Sequence, residues 1–153
     1  MTLRDEIQQT KPFISLREEA LLNVVRTSAT MTDELEDLLK ARGITNTQYN
    51  VLRILRGAEP DGLCRNELRD RMLTRMPDVT RLLDRMEEAG LVARSRDNED
   101  RRLVSTRITP AGRKVVDDLD SPVHEFHQRR MAHVSDEQLQ RLIDLLTLTR
   151  DRG

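Results

Sequence analysis

Apolar residues recur at three- and four-residue steps along most of the chain, the stripe of amphipathic helices. They switch to a two-residue rhythm in one place only. The longest stripe is Leu16, Ala20, Leu21, Val24, Ser28, Met31, Leu35, Leu38 and Leu39. Ser15 with Glu18 makes a capping box ahead of it and Gly43 stops it, which predicts a helix of about seven turns. Such a helix exceeds what a small core covers, so part of its face is expected to pack on something else, such as a second copy of the chain. The preceding residues 1–14 are polar and contain Pro12, and they read as an irregular arm whose Phe13 and Ile14 can tuck against a partner.

Thr45 and Gln48 form a second capping box, opening a helix that carries Tyr49, Val51, Leu52, Ile54 and Leu55 and fades at Gly57. Glu59-Pro60-Asp61-Gly62 is turn chemistry. Leu63 to Met72 reads as a short helix with Leu68 and Met72 inside and Arg65, Asn66, Arg69 and Arg71 outside. Leu73 to Met76 is a tight link. From Thr74 to Val92 the apolar set Val79, Leu82, Leu83, Met86 and Ala89 predicts another helix, with Thr74 as nearest N-cap, Pro77 in the first turn and Gly90 at the end. Two helices joined this closely make a helix-turn-helix.

The two-residue rhythm follows at once. Leu91 to Arg96 and Arg102 to Ile108 read as paired strands around the polar tip Asp97 to Arg101. A helix-turn-helix followed by such a hairpin is a winged helix. Beyond it, Thr109-Pro110 starts a helix with Ala111, Val115, Val116 and Leu119 inside. Asp120-Ser121-Pro122 is expected to kink or interrupt it, because proline removes a hydrogen bond, before it resumes through Val123, Phe126 and Met131. Ser135 with Gln138 opens a last helix bearing Leu139, Leu142, Ile143 and Leu146. The expected fold class is mainly α with a small β-hairpin wing. Residues 44–109 would form a winged helix-turn-helix lobe, flanked by helical regions 1–43 and 110–153, within one domain spanning 1–153.

Composition sharpens this. The 153 residues are 35% charged and 2% aromatic, with no Trp, which suits helices packed through aliphatic side chains and argues against an aromatic cofactor pocket. Net charge is only −1, but its distribution is uneven. Residues 1–63 hold 8 Lys/Arg against 10 Asp/Glu, residues 64–114 hold 13 against 9, and residues 115–153 hold 5 against 8. A positive middle between acidic ends is expected where one central module faces phosphate. A lone Cys64 allows no internal disulfide and fits a reducing compartment. No long apolar run suggests a membrane span, and MTLRDEIQQTKP lacks a signal-peptide core, so a cytoplasmic chain is expected.

The outer face of the Thr74–Val92 helix carries Asp78, Thr80, Arg81, Asp84 and Arg85, with Arg75 just ahead. Short polar groups and guanidinium forks near a helix N-terminus are equipment for reading base edges in a major groove. An ordinary solvated face laced with Arg–Asp pairs is the alternative. The wing tips the balance, because Arg94, Arg96, Arg101, Arg102 and Arg107 crowd two short strands. Clustered arginine on a protruding ribbon suits a narrow, electronegative minor groove. Thr80, Arg81 and Arg85 are then expected on bases, with Asp78 or Asp84 accepting from cytosine or bracing an arginine. Asn66, Arg69 and Arg75 are expected on phosphates, Arg101 and Arg102 in minor groove, and Asp97 and Asp100 orienting arginines.

From about residue 15 to 150 the chain resembles the MarR family (multiple antibiotic resistance regulators). The most specific portion is TRLLDRMEEAGLVARSRDNEDRRLVSTRITPAG, Thr80 to Gly112. Asp100-Arg101-Arg102 supplies the family's D-x-R, Gly112 its glycine, and Ile108-Thr109 stands where Leu-Thr is usual. The resemblance implies a homodimer joined through the terminal helices, two winged helices reading double-stranded DNA at a pseudo-palindromic operator, and a small-molecule or oxidant signal. No cofactor is implied. Peroxide-sensing members carry a cysteine in the first helix, and this chain has none there. Cys64 reads as a small half-buried hydrophobe, with a redox switch as the alternative. His124, His127 and His133 beside Glu125 are metal candidates by type, but they fall where dimer packing is expected. A winged helix docking an acidic protein is the other binding reading. No Ser/His/Asp order, paired carboxylates in an apolar setting or glycine-rich phosphate loop points to an enzyme.

Overall fold

The structure, a computed structural model, describes residues 1–96 and 104–151. Helices α1 (Leu3–Glu6), α2 (Leu16–Lys40) and α3 (Asn46–Arg56) come first. Strand β1 (Leu63–Cys64), helices α4 (Arg65–Arg71) and α5 (Val79–Glu88), and strands β2 (Val92–Arg96) and β3 (Val104–Ile108) follow. Helices α6 (Pro110–Met131) and α7 (Asp136–Arg150) come last. The fold is mainly α with a small antiparallel sheet. The chain divides into two compact units, Met1–Val116 and Asp117–Gly153, and α6 runs from the first into the second.

Two capping boxes form as their residues dictate. The Gln48 and Gln138 amides donate to the hydroxyls of Thr45 and Ser135, and each glutamine side chain accepts from its cap's N–H. At α2 only half a box forms. Ser15 caps Glu18 N–H, but the Glu18 carboxylate reaches past it to Ile14 N–H at 2.6 Å. The N-terminal arm is not irregular throughout. Thr2 and Asp5 make a capping box of their own, and Leu3 is buried.

Three boundaries differ from expectation. Helix α5 begins at Val79, not near Thr74, and Asp78 is its cap, accepting from Arg81 N–H at 2.9 Å. Pro77 lies outside the helix because a residue before proline is pushed away from the helical region, so Met76 cannot continue a turn begun at Thr74. Leu63 and Cys64 are not helical. They pair with Thr106 and Ser105, making the expected hairpin a three-stranded sheet of order β1-β3-β2. The Glu67 carboxylate accepts from Cys64 N–H at 2.8 Å and fixes the start of α4 one residue later. Finally, Pro122 neither breaks nor interrupts α6, which is continuous from Pro110 to Met131. One donor is lost, while Leu119 and Val123, flanking the proline, both stay buried.

In the first unit many of the buried residues come from the predicted stripes: Tyr49, Val51, Leu52 and Leu55 of α3, Leu68 of α4, and Val79, Leu82, Leu83 and Met86 of α5. Ala89, expected inside, is the exposed C-cap of α5. Helix α2 buries Leu39, whereas Leu16, Leu21, Val24 and Val25 are exposed. Helix α7 has no buried residue and exposes Leu142, Ile143, Leu145 and Leu148.

The end of β3 is tied to the end of α5 by Thr109. Its N–H donates to the Leu91 carbonyl at 3.1 Å, its hydroxyl donates to the Gly90 carbonyl at 2.6 Å, and the same hydroxyl accepts from Gly112 N–H at 3.0 Å. A Cβ on Gly112 would stand 2.1 Å from the Leu91 carbonyl oxygen, so only glycine fits the first turn of α6. Gly112→Ala is therefore expected to destabilise the fold by about 1–3 kcal/mol, the usual range for forced overpacking, measured by urea unfolding. An unchanged midpoint would show that the two backbones can part freely.

Candidate nucleic-acid interface

Helices α4 and α5 are joined by residues 72–78, and Asn50 Oδ1 accepts from Leu73 N–H at 3.0 Å to pin that link to α3. Burial of Val79, Leu82, Leu83 and Met86 turns Thr80, Arg81 and Arg85 outward on one face of α5. Among the described residues no carboxylate pairs with Arg75, Arg81 or Arg85, so these exposed guanidinium groups are open to an external partner. Asn66 and Arg69 are exposed on α4, where Arg69 makes an ion pair with its neighbour Asp70 at 3.1 Å. Such a surface pair is weak, and phosphate can displace it.

The structure places Asp78, Asp84 and Arg94 differently. The Asp78 carboxylate is committed to capping α5. Arg94 is drawn back onto α5, with its side chain only 24% exposed. Its Nε and Nη2 donate to Glu87 Oε2 at 2.9 and 2.6 Å, its backbone N–H donates to Glu87 Oε1 at 2.9 Å, and Nη2 also meets Asp84 Oδ1 at 2.7 Å. Asp84 thus braces an arginine, one of the two roles expected of it. Hydrogen bonds from the Arg94 side chain, then from its backbone, hold the Glu87 carboxyl below the usual carboxylate range. Arg107 is likewise occupied, donating to Ser95 Oγ and to the Pro60 carbonyl. Arg96 is exposed at the end of β2. Asp100, Arg101 and Arg102, with the rest of the tip, lie outside the described residues.

Sequence reasoning missed two participants. Periodicity puts Arg65 on the outer face of α4 and assigns it no role, yet its Nη1 donates to Thr80 Oγ1 at 3.4 Å across the helix pair. Glu87 had no visible signal, because its partner lies seven residues on, in a strand. A cleft of about 300 Å³ opens between α4, α5 and the sheet, lined by Cys64, Arg65, Asn66, Thr80, Arg94 and Val104 among others. Cys64 is half-buried there, and its N–H, then its thiol, hold the Glu67 carboxyl below its ordinary range. Among the described residues, no group of His, Cys, Asp or Glu is arranged to hold a metal, and no helix is long and apolar enough to cross a membrane.

A capped outward helix, a preceding helix pinned at its turn and an arginine-bearing hairpin are the parts of a winged helix-turn-helix. The MarR family profile matches residues 44–104. The chain is also 39% identical to a MarR transcription factor from Planctomyces limnophilus, with 90% of this chain and 99% of that one covered and a TM-score of 0.68. The chain belongs to the MarR family. MarR proteins are transcriptional regulators, not enzymes. The chain is similar, at 27% identity and a TM-score of 0.76, to S. aureus MepR in its complex with DNA, covering 90% of this chain and 97% of that one. It is also 27% identical over 123 residues to the transcriptional repressor IacR of Pseudomonas putida, covering 80% of this chain and 72% of that protein.

The Glu87–Arg94 pair predicts an acid response for this MarR lobe. A carboxyl whose folded pKa is lowered adds stability above its ordinary pKa and loses that contribution as the pH falls through the folded value. Wild type is expected to melt at a higher temperature than Glu87→Gln at neutral pH, with the gap closing on acidification. A gap in calorimetric Tm that stays constant into the acid range would show that the charge contributes nothing.

Proposed function

We propose that this MarR chain is a homodimeric, sequence-specific regulator that represses transcription by binding a pseudo-palindromic operator in double-stranded DNA. The observation that carries this reading is the outward face of α5, where Arg81 and Arg85 stand exposed and unclaimed by described carboxylates while the opposite face is buried. Similarity to DNA-bound MepR and to the repressor IacR supports it. Thr80, Arg81 and Arg85 contact base edges, and Asn66, Arg69 and Arg75 hold phosphates. Arg96, Arg101 and Arg102 approach the flanking minor groove, with Asp100 orienting them. Asp78, Asp84 and Arg94 shape the interface from within.

In this reading residues 44–109 form the DNA-binding lobe and residues 1–43 and 110–153 the dimerisation region. The uncovered apolar side chains of α2 and α7 support a partner copy, since patches of this kind mark interaction surfaces. A twofold dimer presents two α5 helices to successive major grooves, roughly 34 Å apart. A small-molecule effector releases the DNA by binding one dimer state more tightly than the other. The site of action is the cytoplasm, where Cys64 stays reduced.

Fluorescence anisotropy with a random duplex is expected to show affinity falling steeply with salt. Arg75→Ala should lower the salt slope by about one and weaken all sequences alike, whereas Arg81→Ala should lose about 1–3 kcal/mol on the selected operator and relax preference at one base. Absence of salt-sensitive duplex binding would favour the acidic-protein reading instead. In light scattering the wild-type chain of 17.8 kDa should appear at twice that mass, and Leu142→Asp combined with Ile143→Asp should appear as a single chain. A wild-type monomer would remove the dimer from the account.

A further inference from the structure

Arg94 joins the hairpin to the helix that precedes it. Two carboxylates one turn apart on α5, Asp84 and Glu87, receive its guanidinium fork, and Glu87 also receives its backbone N–H. The contact fixes both the side chain and the strand that carries it. Arg96 sits two residues further along β2, on the same face of the strand, and is exposed. The place of Arg96 relative to α5 therefore follows from how β2 is held at Arg94.

We propose that Arg94 is a positioning residue for DNA binding: its fork on Glu87 and Asp84 sets Arg96 relative to α5, so that wing and helix contacts with DNA form together. This rests on the DNA-binding reading above and adds to it an energetic coupling between two parts of the interface. The fork is the essential feature. A lysine at the same place keeps the charge but presents a point donor that cannot hold two carboxylates and a fixed plane.

Charge alone predicts the opposite of positioning. Glu87 is an anion on a face that meets phosphate, so removing its charge should strengthen binding if it acts only through the local potential. If it positions the wing, removing it weakens binding. The experiment measures the full-length chain by anisotropy on a labelled duplex enriched by the wild type from a random pool, at one salt concentration. The proteins are wild type, Glu87→Gln, Arg94→Lys, Arg96→Ala and the Glu87→Gln/Arg96→Ala double variant, each checked by circular dichroism to be fully folded at the assay temperature. Glu87→Gln and Arg94→Lys are expected to weaken binding roughly tenfold, within the range of couplings inside one contact network. Arg96→Ala should weaken wild type but add little in the Glu87→Gln background. Equal or tighter binding by Glu87→Gln, or losses that simply multiply in the double variant, would overturn the positioning role while leaving the DNA-binding reading intact. A wild type that enriches no duplex at all would overturn both.

Discussion

Burial of four side chains on α5 is the constraint from which the interface follows. With Val79, Leu82, Leu83 and Met86 removed from water, each contributing about 1.5–3 kcal/mol, the helix cannot roll about its axis without exposing them. The orientation of Thr80, Arg81 and Arg85 is then not a choice made by the polar residues. It is the complement of the apolar stripe. The Asp78 cap sets where the helix starts, and the Asn50 contact to Leu73 sets how the link approaches it. The proposed reading groups are thereby held on a rigid element, which specific recognition requires.

Much of this was legible in the sequence because it depends on local rules. The capping boxes at Thr45 and Ser135, the stripe of α5 and the alternation in the hairpin are each written within a few residues of one another. What escaped depends on contacts between elements. Cys64 looks like the start of a helix until Ser105, far along the chain, supplies a strand beside it. Thr74 offers a hydroxyl that suits a cap, but Pro77 keeps Met76 out of the helical region and Asp78 caps α5 instead. Pro122 predicts a kink or an interruption, and the buried neighbours Leu119 and Val123, which accompany the continuous α6, are not weighed by a rule about proline alone.

The candidate site shows the same division. Composition located the arginine-rich region, and periodicity placed its members on outer faces. Neither could say which arginines are occupied. Arg94 and Arg96 are indistinguishable by residue type and two positions apart, yet one is folded onto Asp84 and Glu87 and the other is exposed. A count of basic residues therefore overstates the charge that a wing offers to DNA. Carboxylates in such a lobe are not wasted repulsion, because they determine which arginines remain available.

Helix α7 has no buried residue of its own, although it is capped at its start and runs 15 residues. A helix of that length is marginal in water on its own hydrogen bonds. Its persistence then depends on apolar contact made elsewhere, and if a second chain supplies that contact, ordering the helix and pairing the chains become a single event. Dilution would in that case act like a denaturant. The amount of the chain would then set how much of α7 is ordered.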